Sequence, residues 1–228
     1  MSGWAAAGYA GLTVGSYLLL RRLYLRWKKP WLTPVLTAGV LVIAVLLLFQ
    51  IPYDVYMKGG RWIDSLLGPA VVAFAYPLYR QRKLIRRYRF AIFGGVLIGT
   101  LVAMVGGWAW ARLFGLDPHL AVTVIPQSVT TPVAMELSRQ WGGLPALTAV
   151  LVILAGVVGA VGGPLLFQWL GVDHTLGRGI GFGSGAHGIG TSRALEDDEA
   201  VGAASTVAMT LAAVATAFIG PLLLHLVK

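Results

Sequence analysis

The chain has 228 residues, 57% of them hydrophobic and only 12% charged, with a net charge of +9. Water-soluble domains carry about 25% charged residues, so half that share, together with a mean hydropathy of +0.76, excludes an ordinary water-facing surface. The absence of cysteine excludes disulfides, thiolate catalysis and cysteine-ligated metals, and composition predicts an all-α membrane protein with one membrane domain over residues 1–228.

A transmembrane helix needs about 20 mostly apolar residues. In chain order the candidates are residues 4–20, 33–51, 62–79, 90–113, 119–138, 145–170, 176–196 and 199–227, which predicts a polytopic protein of seven or eight transmembrane segments. The first is not a cleavable signal peptide, because its positive charge, Arg21, follows the apolar core instead of preceding it. That order favours an N-terminus outside and residues 21–30 in the cytoplasm. Residues 1–51, holding the first two spans, are the expected scaffold and dimer contact. The third candidate is weaker, and Pro69 in Leu67-Gly-Pro69 is an expected helix break. Five basic residues lie in Arg21–Lys29 and six in Arg80–Arg89, both between long apolar runs. This is the placement of the positive-inside rule, so lipid headgroups and not nucleic acid are the expected partners. Eight full spans put both clusters inside, leaving Lys58 and Arg61 outside.

The second half contains an internal repeat. Thr131-Pro-Val-Ala-Met-Glu136 matches Thr191-Ser-Arg-Ala-Leu-Glu196 at a spacing of 60, and Gly163-Pro-Leu-Leu166 matches Gly220-Pro-Leu-Leu223 at 57. A weaker third copy starts at Leu67-Gly-Pro69 and runs through Gly106-Gly107. Each copy is a broken segment followed by a strong span, so residues 62–227 read as a repeat-built transport unit. Repeats with interrupted segments at matching places are the signature of secondary transporters.

The fifth candidate contains Pro126-Gln-Ser-Val-Thr-Thr-Pro132. Pro126 and Pro132 each remove a backbone donor and clash with the preceding turn. Inside a membrane such a stretch is tolerated where it is buried in protein or lines a wet cavity. It reads as a helix break or re-entrant tip, with Ser128 or Thr131 capping the half-helix that continues through Ala134; a proline-kinked ordinary span is the alternative. The seventh candidate contains seven glycines in the fourteen residues Gly177–Gly190, with His187 among them. Such a run suits backbone that approaches something closely or adopts positive φ, or else close helix packing. Backbone N–H groups at either break can bind an anion. The remaining histidines, His119, His174 and His225, lack ligand spacing, and no cofactor or metal is expected. Glu136 and Arg193 are the ionisable residues expected nearest the membrane, Glu136 with Arg139 as its i+3 partner or simply solvated at a helix end. No catalytic set converges, so an enzyme is not expected.

Leu67-Gly-Pro-Ala70 with Pro77-Leu-Tyr79, Ser128-Val-Thr-Thr-Pro132 with Ala134-Met135, and Ala186-His-Gly-Ile-Gly-Thr191 with Arg193-Ala194 closely resemble the LrgB/CidB family over about residues 30–227. That family is similar to the C-terminal half of the plastidial glycolate/glycerate translocator. Its bacterial members carry antiholin-like or holin-like names tied to lysis and murein hydrolase control, and others are implicated in pyruvate transport with a small LrgA/CidA-type membrane subunit. The chain departs from the family at Gln127, where a basic residue is frequent.

The resemblance implies a transporter of small monocarboxylates (glycolate, glycerate, lactate or pyruvate) in a bacterial inner membrane. The alternative is a holin/antiholin-like regulator of murein hydrolase export or lysis. The expected substrate contacts are the hydroxyls of Ser128, Thr130, Thr131, Ser184 and Thr191 and the backbone around Val129, Ala186, Gly188 and Gly190. Arg193 is the expected counter-charge, with His187 or Glu136 for proton or charge coupling. At about 1.5 kcal/mol per heavy atom at best, so small a ligand binds in the micromolar-to-millimolar range.

Overall fold

A computed structural model describes residues 3–27, 32–73 and 75–227. Lys28 and Lys29 of the first basic cluster, and Phe74 within the third candidate span, lie outside the described residues. Among the described residues the regular structure is entirely helical, and the chain divides into two compact units, Met1–Val72 and Ala73–Lys228.

In the N-terminal unit, α1 (Gly3–Trp27) packs against both α2 (Pro34–Leu48) and α3 (Tyr53–Asp64). The α1–α3 contact is close because Gly59 has no side chain; an added Cβ would lie 2.9 Å from both Tyr9 Cβ and Ala10 N. Tyr56 sets its ring edge-on to Tyr9 at 6.2 Å and its hydroxyl 2.8 Å from Thr13 Oγ1. The expected third span is not one helix. Helix α3 ends at Asp64, Ser65 donates its hydroxyl to the Trp62 carbonyl at 2.8 Å, and a new helix α4 (Leu67–Ala73) starts after the turn. Serine back-bonding competes with helix continuation, and proline is tolerated in a first turn, where its missing N–H has no partner to lose. Pro69 therefore sits in the first turn of α4, just after the break instead of at it.

The C-terminal unit begins with two short helices, α5 (Ala75–Arg80) and α6 (Arg82–Arg87), and continues into α7 (Arg89–Leu113). Helices α8 (Pro118–Val124), α9 (Thr131–Trp141), α10 (Pro145–Trp169), α11 (Thr175–Asp197) and α12 (Glu199–Val227) follow. Among the described residues α7, α10 and Glu199–His225 of α12 are long and apolar enough to cross a membrane. Helix α7 buries only a stripe, including Ile92, Val96, Thr100 and Met104, while Phe90, Ile98 and Val102 are exposed. A helix apolar all round with one packed face suits lipid on its other sides.

The fifth and seventh candidates are not straight helices; each folds back on itself. At the base of the first hairpin, His119 of α8 donates from Nδ1 to the carbonyl of Gly142, just past α9, at 3.1 Å. The Leu144 N–H donates to Thr123 Oγ1 at 2.9 Å, and the Thr148 hydroxyl of α10 lies 3.0 Å from the Thr123 carbonyl and 2.7 Å from Ser138 Oγ. Both outer ends of α8–α9 are thus tied to the start of α10. In the second hairpin Arg178 pairs with Asp197, residues that a straight helix would hold roughly 28 Å apart. Phe182 packs in one buried cluster with Ala194, which requires the same reversal. The turning point is His187, whose φ of 40° and ψ of −132° are not helical.

Each repeat is therefore a helical hairpin plus a span: α8–α9 with α10, and α11 with α12. Val96 of α7 clusters with Ala208 and Ala212 of α12, and Met104 with Leu224, so α7 and α12 run parallel. Helix α10 starts from the base of the first hairpin, at the C-terminal end of α7, and runs back the other way. The two hairpins accordingly enter from opposite ends, and the repeats are inverted. This is an all-α membrane fold with two re-entrant segments.

The chain has no native cysteine, which makes single-cysteine labelling a direct check. His119→Cys and Gln140→Cys should both react with a membrane-impermeant maleimide from one face, and Thr175→Cys and Glu196→Cys both from the other. Labelling of the two members of a pair from opposite faces would mean that the segment spans.

Candidate functional site

The first hairpin turns because α8 stops before Pro126. Residues 125–128 form a turn, with the Gln127 N–H donating to the Val124 carbonyl at 3.1 Å and the Val129 N–H to the Pro126 carbonyl at 3.3 Å. Thr130 is extended and occupies the N-cap of α9, with Pro132 in the first turn, where its missing N–H matters least. The cap position is Thr130, in place of the expected Ser128 or Thr131, and its side chain makes no capping bond. Ser128, Val129 and Thr130 are buried, and the hydroxyls of Ser128 and Thr130 have no hydrogen-bond partner. Thr131 follows as the first helical residue. Gln127 packs toward α7, where a Cβ added at Gly107 would lie 2.8 Å from its amide nitrogen.

The second hairpin turns at His187, which is 3% exposed. A positive φ at a non-glycine residue costs about 1–3 kcal/mol and persists only where surrounding contacts hold it. Here the imidazole does so: Nε2 donates to the carbonyl of Val152 on α10 at 2.8 Å, which fixes a proton on Nε2. The ring has room because α10 carries glycine at 156; an added Cβ would lie 2.7 Å from Nε2. In the first arm Ser184 donates to the Ile180 carbonyl at 2.7 Å and lies against Gly99 of α7. Ala186 lies against Gly159 of α10. In the second arm Gly188 and Gly190 follow the turn, and a Cβ at Gly190 would lie 2.8 Å from the Phe182 carbonyl oxygen. The Thr191 hydroxyl donates to the His187 carbonyl at 2.7 Å and lies 2.8 Å from Ser205 Oγ of α12.

The two tips converge on one residue. Val129 shares a buried cluster with Val152 of α10 and Ala213 of α12, and His187 is bonded to the carbonyl of that same Val152. The second arms, α9 and the part of α11 after His187, both start at this level. Their N-terminal N–H groups, which lack helical acceptors, are therefore at the centre. Two expected residues are not brought there. Arg193 lies six residues along the second arm, roughly 9 Å of helix from the turn, and faces Glu196 at 3.9 Å. Glu136 is exposed on α9 and pairs with Arg139 at 2.8 Å and Gln140 at 3.0 Å. The residues not anticipated from sequence are Val152, Gly156, Thr100 and Thr216; the last two hydroxyls are buried and unpartnered. No group of three or more potential metal ligands occurs among the described residues.

The sequence profile of the LrgB-like family matches residues 13–226. The chain belongs to the LrgB-like family. It is 47% identical over 215 residues to the uncharacterized protein YxaC of Bacillus subtilis, covering 94% of each chain. It is 38% identical to YwbG of the same organism, covering 93% of this chain and 95% of YwbG. The holin-like protein CidB of Staphylococcus epidermidis is 35% identical over 94% of each chain. No solved structure matches. For this LrgB-family chain, then, the His-Gly-Ile-Gly-Thr block is the turn and second-arm start of one re-entrant hairpin, and the Ser-Val-Thr-Thr-Pro block is the tip of the other.

A side chain at position 156 should collide with the His187 ring. Gly156→Ala should lower thermal stability by about 1–3 kcal/mol through overpacking. Gly162→Ala on the same helix, where an added Cβ meets nothing within 4 Å, should be neutral or stabilising by roughly 0.5–1 kcal/mol. Thermal unfolding of both variants in one detergent is the measurement.

Proposed function

We propose that this LrgB-family protein is a multi-pass carrier of small monocarboxylates (of the glycolate, glycerate, lactate or pyruvate type) in a bacterial inner membrane, with no enzymatic activity. The observation that carries the reading is the meeting of two inverted hairpin tips at Val152, with Ser128 and Thr130 buried and unpartnered beside them. Inverted repeats whose broken helices meet between the two faces are the architecture of alternating access. The half-helix N-termini starting at the tips offer unpaired N–H groups and positive dipole ends to a carboxylate. Arg193 stands off this level, so N–H groups and hydroxyls hold the anion. Burial of an unpaired hydroxyl costs about 1–3 kcal/mol, which a ligand oxygen would offset.

The basic residues of α5 and α6 put the start of α7 in the cytoplasm by the positive-inside rule. The second hairpin then opens inward and the first outward. Because α12 runs parallel to α7, its C-terminal end lies on the outer side. His187 couples a proton through its imidazole, a homodimer forms, and an LrgA/CidA-type subunit assists.

A second reading has its own support. Relatives in Staphylococcus are named holin-like, and these names favour a membrane protein of the holin/antiholin kind, acting in lysis or murein hydrolase export without substrate turnover. Purified protein in liposomes separates the two. The carrier takes up labelled glycolate or pyruvate saturably; Thr130→Val lowers uptake at least about tenfold, the loss of roughly one buried charge-assisted hydrogen bond, and His187→Ala lowers it by removing the bond that ties the second tip to Val152. Unsaturable leakage of unrelated solutes, unaffected by either substitution, would replace the carrier with the holin-like reading.

A further inference from the structure

Helix α7 has 25 residues and is therefore about 37 Å long, against a hydrocarbon core of about 30 Å, so its last turn stands at headgroup depth. Trp110 and Phe114 mark that level: their rings stack at 5.6 Å and both are exposed, as in an interfacial aromatic belt. At the same end of the helix a cavity of about 490 Å³ opens at the foot of the first hairpin. Trp108 and Arg112 line it from α7, Pro118 and His119 from α8, Trp141 from α9 and Leu224 from α12. Both indoles pack on the Met104–Ile125–Leu224 cluster, which makes the inner wall apolar. Trp141 also lies against Gly220 of α12, where a Cβ would have no room. His119 is held through Nδ1 by the Gly142 carbonyl at 3.1 Å.

Among the lining residues only Arg112 carries a fixed charge, and none is acidic. Its guanidinium makes no ion pair or hydrogen bond among the described residues. The groups that could occupy it are already served. At the end of α7 the carbonyls of Trp110, Ala111 and Arg112 accept from the N–H groups of Phe114, Leu116 and Gly115. At the end of α9 the carbonyls of Ser138, Arg139 and Gly142 are taken by the Gly143 and Gly142 N–H groups and by His119. Asp117, the nearest acid in sequence, caps α8 by accepting from the His119 N–H at 2.8 Å. A guanidinium can hold a phosphate or carboxylate through two parallel N–H···O bonds. Arg112 therefore offers an unused oxyanion seat beside two fixed indoles.

We propose that this cavity seats the headgroup of an anionic phospholipid, with its phosphate on Arg112 and its glycerol body against Trp108 and Trp141. Three observations choose a lipid over a free anion. The cavity lies at headgroup depth. Its walls are two indoles and Leu224, which suit an apolar body that inorganic phosphate or a two-carbon acid lacks. Its volume of about 490 Å³ is within the range of about 300–1,000 Å³ for ligand pockets, and so small an anion would leave most of it empty. With one cation and no acid in the wall, a headgroup whose only charge is its phosphate, such as phosphatidylglycerol, fits better than a zwitterionic one. The cavity touches α7, both arms of the first hairpin and α12, so a bound lipid ties the foot of the hairpin to two spans. The basic α5–α6 segment is at the other end of α7. The assignment rests on α7 spanning the membrane and not on the carrier reading.

The test places the full chain in nanodiscs of phosphatidylcholine, with or without phosphatidylglycerol, and follows backbone hydrogen exchange by mass spectrometry. Phosphatidylglycerol should slow exchange in segments 113–119 and 141–144, which flank the cavity. The slowing should be at least about threefold, the factor that mass action gives at a lipid concentration of twice Kd. Arg112→Gln should abolish it, and Arg112→Lys should keep part of it, because an ammonium is a point charge without the bidentate fork. Arg139→Gln, which removes an exposed ion-paired arginine near the end of α9, should respond as the parent does. Arg112→Gln should melt close to the parent in phosphatidylcholine, since its guanidinium has no partner to lose, which separates a lost response from a lost fold. Inorganic phosphate or glycolate added to phosphatidylcholine discs should not reproduce the slowing. No dependence on phosphatidylglycerol, a response that survives Arg112→Gln, or an equal loss in Arg139→Gln would overturn the proposal. Equal slowing by phosphate or glycolate would also overturn it and make the cavity a free-anion site.

Discussion

The bond from His187 Nε2 to the Val152 carbonyl joins the two inverted halves of the C-terminal unit at their centre. A carbonyl oxygen has two lone pairs, so Val152 can serve the α10 ladder and the imidazole together. The arrangement depends on three coincident features: a residue with φ of 40°, a glycine at 156 that leaves room for the ring, and a hairpin that delivers the ring to that turn. In hydrocarbon a chain cannot reverse direction without partners for its backbone. The second hairpin reverses because it does so inside protein, against α10 and α12.

The same constraint explains why the two breaks are built from different residues. The first tip is opened by proline, which ends α8 and then starts α9. Two N–H groups of the turn, those of Gln127 and Val129, close locally onto the Val124 and Pro126 carbonyls. The second tip has no proline; its chain turns at His187, and the arms lie so close that a Cβ added at Gly190 would sit 2.8 Å from the Phe182 carbonyl oxygen. Glycines along both arms permit that approach, and Arg178 with Asp197 closes the base. One hairpin is tied at its base by the Thr148 hydroxyl of α10 together with bonds of His119 and Thr123, the other by an ion pair of its own arms.

Much of this was legible in the sequence, and the remainder was hidden for definable reasons. The breaks at Pro126–Pro132 and near His187, the repeat and the family resemblance all follow from local residue types. The fold-back does not, because a hydrophobic run of 20 residues reads alike whether it crosses or returns; only pairs such as His119–Gly142 and Phe182–Ala194 distinguish the two cases. The Ser65 turn that splits residues 62–79 depends on a single side-chain bond. Arg193 stood out as a lone charge near a glycine run, yet helix phase carries it away from the turn toward Glu196. Thr100 and Thr216 look like ordinary helix threonines in sequence; only the missing back-bond separates them from their neighbours.

The distribution of polar groups also bears on the choice between a carrier and a pore. A conducting pore needs a wet lining continuous from face to face. In the C-terminal unit the unpartnered hydroxyls are confined to one layer. On one side of it lie Met104, Ile125 and Leu224, and on the other Val96, Ala208 and Ala212, all at most 7% exposed. Filling either cluster with water would forfeit its apolar burial, at about 25 cal/mol per Å², with no polar lining in return. The four hydroxyls thus lie in a polar layer with apolar packing on both sides. In this packing neither cluster offers a water path, so a pore lined by these helices would need a different arrangement of the same residues.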